Sequence, residues 1–390
     1  MQREWFRRPD DERYETLAEL ADAADLDRMN CARKVKTNAQ ITIEADGKRL
    51  LLNAGAKSAD FTPWAFSQAA SVIGAPARYL AGLPATIAAD AMNHGFSVLS
   101  DEKKRDEHSI MIRRDPATDD LTVRALNSTS YGQVWNAPIA RIVERFANGG
   151  PSGNGRTWQT PPSWPNSGKK PGGLYLSDRD MVILQVDGGS IVNDPSAVSA
   201  WSRTPGAPDA GSALYRGAYL RNSEVGAATW YLVLFYFQAI CGNHLIGGLE
   251  VHKEFKRRHT IAASKAGAGL DDAARYLAHD GLAAIARFMD TPASRDEQII
   301  KNLAATELAA TKEDTIAALK GKHGFTEAQA TQGYDLAEKH TANPRSVWGI
   351  WQGLTRMSQA GEYIHNDTRL TIDQMAGSML RTYTRQMVAA

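Results

Sequence analysis

The sequence predicts an α+β protein: a central, largely antiparallel sheet with helices packed on one face, followed by a helical C-terminal region. Three stretches carry that expectation. The most apolar run, Thr229 to Ile240 (TWYLVLFYFQAI), is rich in aromatic and β-branched residues. It is far shorter than the roughly 20 residues of a spanning helix, so it reads as a long buried strand. Ala39 to Asn53 (AQITIEADGKRLLLN) alternates about Asp46-Gly47, a pair that supplies the φ > 0 positions of a tight hairpin turn. After Thr260 the apolar period lengthens to that of a helix and stays there.

Three parts are expected: an N-terminal helical attachment over 1–34, an α+β core over 35–260, and a helical region over 261–390. In the attachment, Tyr14 to Leu26 reads as a helix capped by Asp10-Asp11. In the core, Thr62-Pro63 supplies an N-cap and a first-turn proline for the next helix. Gly74-Ala75-Pro76 breaks it, and short helices follow from Ala77 to Leu83 and from Pro84 to Gly95. His108 to Arg114 and Leu121 to Asn127 read as strands parted by the turn at Asp115-Pro116, and Ile139 to Phe146 as a helix. The stretch 149–173 is dominated by Gly, Pro, Ser and Asn and reads as a flexible loop. Met181 to Asp187 (MVILQVD) is a strand, and a second loop over Gly188 to Gly211 leads into the apolar run. The C-terminal helices are expected at Leu270–Met289, Glu297–Ala318, Thr326–Lys339, Ser346–Gln359 and Thr371–Met387.

Composition narrows the function classes. The 390 residues carry a net charge of +1, so any binding of polyanions rests on local patches rather than on the chain as a whole. Two cysteines are too few for a disulfide framework and suit a reducing cytoplasm. The first residues lack the apolar core of a signal peptide, and no run is long enough to span a membrane, so a cytoplasmic protein is expected. No G-x-x-x-x-G-K-S/T run occurs and no G-x-G-x-x-G follows a strand, which argues against nucleotide hydrolysis and dinucleotide redox chemistry.

The basic residues fall into local groups. Lys253, Lys256, Arg257 and Arg258 close the apolar stretch and suit phosphate contacts, or else a solvated loop. Arg113, Arg114 and Arg124, with Lys103, Lys104 and Arg105 upstream, form either a groove wall or an exposed hairpin. Tyr131, in Ser128-Thr129-Ser130-Tyr131-Gly132, offers a ring for stacking on a base, or belongs to a capped turn. Lys169 and Lys170 share the predicted loop with Trp158 and Trp164, and that loop either meets bases or is pinned to its own protein. Asn222-Ser223-Glu224 reads as a turn held by side chains bonding to backbone, since a lone carboxylate lacks the partner that acid–base catalysis needs. Cys241, His244, His252 and His259 have spacings that match no common zinc site, so no metal and no cofactor are expected.

Several segments, in order, carry a family likeness: FTPWAFSQAASVIGAPARYLAGLP (Phe61 to Pro84), AMNHGF, VRALNSTSYGQVWNAPI (Val123 to Ile139) and SDRDMVILQVD (Ser177 to Asp187). The most specific is RGAYLRNSEVGAATWYLVLFYFQAICGNHLI (Arg216 to Ile246), followed by RRHT; WGIWQGLTRMSQ and NDTRLTIDQMAGSML come near the C-terminus. The chain thereby resembles the domain-of-unknown-function family 932, the phage/plasmid-like proteins. It departs from that pattern in the Trp-bearing stretch 149–173 and in His244. The resemblance implies a phage, prophage or plasmid origin. A fold-level likeness to single-strand annealing proteins implies an oligomer that holds single-stranded DNA in a basic groove without a cofactor. The competing expectation is a non-enzymatic protein-interaction module, either a structural oligomer or an inhibitor of a host factor.

Overall fold

The computed structural model describes residues 10–53, 55, 57–149, 158–160, 173–193, 213–228, 230–238, 243–245, 255–257, 281–360 and 366–389. Among these residues the architecture is α+β, with antiparallel pairing dominant and helices making up the C-terminal part. The strands divide between two sheets, where the sequence suggested one.

The chain enters through helix α1 (Leu17–Met29). Its cap is Thr16 rather than the aspartates before it: Thr16 Oγ1 accepts from Glu19 N–H, and the Glu19 carboxylate reaches back to the Thr16 N–H. This reciprocal pair satisfies two orphan donors at once, a stronger arrangement than a lone Asp provides. Strand β1 (Cys31–Thr37) follows directly, so the sheet begins inside the segment expected to be an attachment. Strands β2 (Ile43–Asp46) and β3 (Arg49–Asn53) form the predicted hairpin, with Gly47 at φ +59° in the turn. Strand β4 (Ser58–Phe61) leads into α2 (Pro63–Val72), which Thr62 caps as its sequence promised. Helices α3 (Ala77–Ala81), α4 (Ala85–Ser97) and α5 (Asp101–Lys104) precede β5 (Glu107–Arg114) and β6 (Leu121–Ser128).

These strands form a six-stranded sheet in the order β1-β5-β6-β4-β3-β2, antiparallel throughout except where β4 meets β6. On one face Ile43, Leu52, Ile110, Ile112 and Val123 bury against Phe66, Met92 and Phe96 of the helices. On the other face Met111 and Ala125 meet Val225, which belongs to the second half of the molecule.

Helix α6 (Asn136–Ala147) connects to the second sheet, built from β7 (Trp158–Gln159), β8 (Leu174–Leu176), β9 (Met181–Asn193), β10 (Ala213–Asn222), β11 (Trp230–Gln238), β12 (Asn243–Leu245) and β13 (Phe255–Arg257). Its main path runs β12-β11-β10-β9-β7, with β13 beside β11 and β8 beside β9. Strand β9 continues to Asn193, past the Gly188 at which a loop was expected to begin, and the rest of that expected loop lies outside the described residues. The aromatic run forms β11, and alternation sends Trp230, Leu232 and Leu234 into the main core while Tyr231 and Val233 join Tyr219 on the opposite face.

Residues 281–289 are helical and lead to α7 (Ala293–Ala305), α8 (Lys312–His323), α9 (Glu327–His340), α10 (Val347–Ala360) and α11 (Asn366–Ala389). The helix expected over Glu297–Ala318 is two, because Thr311 caps a fresh start by accepting from Asp314 N–H. These helices share one core with the second sheet, through Ile300, Leu303, Trp348, Trp351 and Leu354. Arg216 on β10 pins them: its guanidinium is buried, pairs with Asp296 of α7, and donates to the carbonyls of Met289 and Thr291. No helix among the described residues is long and apolar enough to cross a membrane.

Helices α9 and α10 touch backbone to backbone at two glycines. A Cβ on Gly353 would sit 2.0 Å from the carbonyl oxygen of Gly333 and 2.8 Å from the Ala337 nitrogen. Alanine favours a helix over glycine by about 1 kcal/mol, but a backbone clash has no flexible end to yield. Gly353→Ala is therefore expected to lower stability by about 1–3 kcal/mol, read as a fall in the urea midpoint. An unchanged or higher midpoint would contradict the close approach.

Candidate nucleic-acid interface

The two sheets meet at a buried arginine. Pairing between β5 and β6 steps from Met111↔Ala125 to Ile112↔Val123, which leaves Arg124 without a partner residue across the ladder. A bulge of this kind bends the strand and re-aims the side chain at its apex. Arg124 turns into the protein, where it has no exposed surface. Its Nη1 lies 2.5 Å from Asp27 Oδ2 on α1 and 2.5 Å from Glu224 Oε1 in the β10–β11 turn, and 3.5 Å from the Cys31 sulfur. Its Nη2 donates to the Asp178 carbonyl at 3.4 Å.

The turn that supplies Glu224 is fixed residue by residue. Asn222 Nδ2 donates to the Val134 carbonyl and to Asn136 Oδ1. Ser223 Oγ donates to the Arg179 carbonyl and accepts from Ala227 N–H. Glu224 Oε2 accepts from the N–H of Asn136, where the positive end of α6 favours a carboxylate. Trp64 donates its indole N–H to the Val225 carbonyl at 3.0 Å, tying the turn to α2. Gly226, at φ +85°, packs beside Asn127 and the Tyr131 ring, a position few side chains would fit. The sequence reading of Asn222 and Ser223 as turn-holding residues matches this geometry. Glu224 has a different task, as half of a buried ion pair.

Electrostatics follow from burial. Desolvation opposes the charge on Arg124, and the carboxylates of Glu224 and Asp27 outweigh it, so its pKa is held above the ordinary value. Burial pushes the Glu224 carboxyl above the usual carboxylate range, opposed by Arg124. Burial likewise pushes the Cys31 thiol up to about 11, which leaves it protonated and unreactive at neutral pH.

This placement corrects the groove wall expected at the β5–β6 hairpin. Arg124 has no surface to offer a phosphate. Arg113 is paired with Asp27 at 3.3 Å, and Arg114 with Asp119. Both line a cleft of about 440 Å³ that also holds Asp11, Glu12, Asp27, Asp115 and Asp178, a lining unsuited to a polyanion. The Tyr131 hydroxyl is committed to the Ser223 carbonyl at 3.0 Å, and burial raises its pKa. Its ring props the turn instead of standing free for a base. Lys256 and Arg257 lie on β13, opposite Tyr231 and Trp230 of β11. Lys169, Lys170, Lys253 and Arg258 lie outside the described residues, as do Cys241, His252 and His259.

Sequence reasoning missed β1 as a basic surface. The strand CARKVKT carries Arg33, Lys34 and Lys36, has no acid, and is the outermost strand of its sheet. Residues 32–35 are exposed. Partial burial lowers the pKa of Arg33, opposed by the nearby Tyr131. Lys36 reaches across to the Asn53 carbonyl at 2.7 Å and the Gln40 carbonyl at 3.3 Å. The signal was in the sequence, but the charge-rich N-terminus invited the reading of an appendage. Comparison of the chain with family models, with curated proteins and with solved structures finds no match.

Breaking the Arg124 junction tests its role. Removing one partner strands a buried charge, so Arg124→Met is expected to cost about 3–5 kcal/mol in urea unfolding. Glu224→Gln in the same background removes one of the stranded carboxylates and is expected to recover part of that loss. Additive losses in the double variant would show that the two side chains do not act as a pair.

Proposed function

We propose that this chain is a nucleic-acid-binding protein that holds a single strand by its phosphates along the exposed edge of β1. The observation that carries the reading is a strand with three cations and no acid at the margin of a sheet. Arg33 and Val35 share one side of the strand and Lys34 and Lys36 the other, so cations flank the edge on both sides. Lysines also blunt sheet edges against unwanted pairing, a role that predicts no affinity for an oligonucleotide.

The likeness of Arg216 to Ile246 to the phage/plasmid-like family, and the fold-level likeness to single-strand annealing proteins, extend the proposal. On that reading the protein works as a homo-oligomer in the cytoplasm of a bacterial host and brings complementary DNA strands together. No bond is made or broken, so basic residues suffice and no cofactor enters. Lys253, Lys256, Arg257 and Arg258 stand as a second set of phosphate contacts.

Fluorescence polarisation of a labelled oligonucleotide across a salt series tests the proposal. Each phosphate contact to a single strand contributes about 0.7 to the slope of log affinity against log salt. Arg33→Gln with Lys34→Gln is expected to weaken binding at least about tenfold and to flatten the slope by roughly 1.4, with the urea midpoint unchanged. Undiminished affinity in that double variant would remove β1 from the interface. Absence of any binding at low salt in both proteins would favour a protein-interaction module.

A further inference from the structure

Position 135 breaks a local rule. It is the N-cap of α6, where Asn, Asp or Ser normally accepts from the first turn, and it holds a tryptophan, which has only a donor to offer. Its side chain makes no capping bond. That work passes to Glu224, whose Oε2 accepts from the N–H of Asn136. Capped from the β10–β11 turn, the helix leaves position 135 free for a side chain chosen on other grounds. Natural chains set local preferences aside chiefly where function asks for it.

The indole lies between the sheet junction and the basic strand. It packs, partly buried, against the cluster of Met111, Ala125 and Val225. Met111 stands directly opposite Arg33 in the β1–β5 ladder, and Ala125 opposite Met111 in the β5–β6 ladder. Residues so paired point to one face with Cβ atoms about 5 Å apart. Arg33, Met111 and Ala125 therefore form a row that runs from the margin of the sheet to the cluster beneath the indole. Cys31, two residues before Arg33, shares that face and packs on the same cluster. Apolar packing accounts for the side of the ring turned to Met111. It does not account for the cation beside the ring: Arg28, in the last turn of α1, holds its Cζ 5.7 Å from the ring centroid. Trp64 packs on the same cluster and has a fastening role, since its N–H is tied to the Val225 carbonyl.

We propose that Trp135 is a stacking place for a base of the single strand whose phosphates lie on β1, with Arg33 as the phosphate contact on that side and Arg28 as a second cation at the ring. The inference rests on the nucleic-acid reading and adds what the bases meet. Every base has a π-face, so one ring adds affinity with little preference among sequences. Stacking releases no counterions, whereas each phosphate contact does. The two kinds of contact are thus separable by salt.

The test uses the full chain and two labelled probes of equal length, a single-stranded oligonucleotide and an abasic strand that keeps the phosphates and lacks the bases. The parent is expected to bind the oligonucleotide about tenfold more tightly than the abasic strand. Trp135→Leu is expected to lose about tenfold for the oligonucleotide, with its salt slope and its affinity for the abasic strand unchanged. Trp135→Phe, which keeps a ring, is expected to stay within about threefold of the parent on both probes. Equal affinity of the parent for the two probes overturns the stacking place and leaves the phosphate reading on β1 standing, and this outcome needs no variant to fold. An undiminished oligonucleotide affinity in Trp135→Leu, or an equal loss on both probes, also overturns it. If the parent binds neither probe at low salt, the stacking place and the reading beneath it fall together.

Discussion

One guanidinium keeps three distant parts of the chain in register. Arg124, at the apex of a bulge in the six-stranded sheet, is shared between Asp27 of the first helix and Glu224 of the β10–β11 turn. Buried pairs of this kind contribute little net stability against an apolar substitute, because desolvation cancels much of the attraction. What they supply is specificity of arrangement. A guanidinium with no exposed surface tolerates few ways of satisfying its donors, so the turn, the bulge and the helix must arrive together. Around it Asn222, Ser223 and Trp64 fasten the turn to backbone carbonyls, and Val225 closes the apolar contact between the sheets.

That constraint decides which cations remain for a partner. The arginines of the β5–β6 hairpin are spent on carboxylates within the protein. The described cations best placed for a polyanion are those of β1, whose outward position follows from its place at the end of the strand order. The first helix packs on α6 and β8 and holds Arg113, Arg124 and Arg141 through its aspartates.

Much of the fold was legible because local signals agreed with the tertiary result. Asp46-Gly47, Thr62-Pro63 and the aromatic alternation of Trp230 to Leu234 each dictate a local geometry that the packing then uses. The division into two sheets was not legible, since period-2 alternation fixes the face of a strand and says nothing about its neighbours. The break between α7 and α8 was hidden by alanines that favour helix on both sides of Thr311. At the interface, a charged residue between Val123 and Ala125 was the available hint that Arg124 is buried. Its partners lie 97 and 100 residues away in sequence, which no spacing rule reaches. Asp27 looked like one acid among many in a charged N-terminus, and only the helix that Thr16 starts gives it a direction.

The account stands or falls on where a strand lies. Photo-crosslinking of a single-stranded oligonucleotide carrying a photoreactive base, followed by peptide mapping of the adducts, locates it directly. The account predicts adducts within Cys31–Thr37 and on the neighbouring residues of β5. Adducts confined to the C-terminal helices, or none above a protein without nucleic-acid affinity, would contradict it.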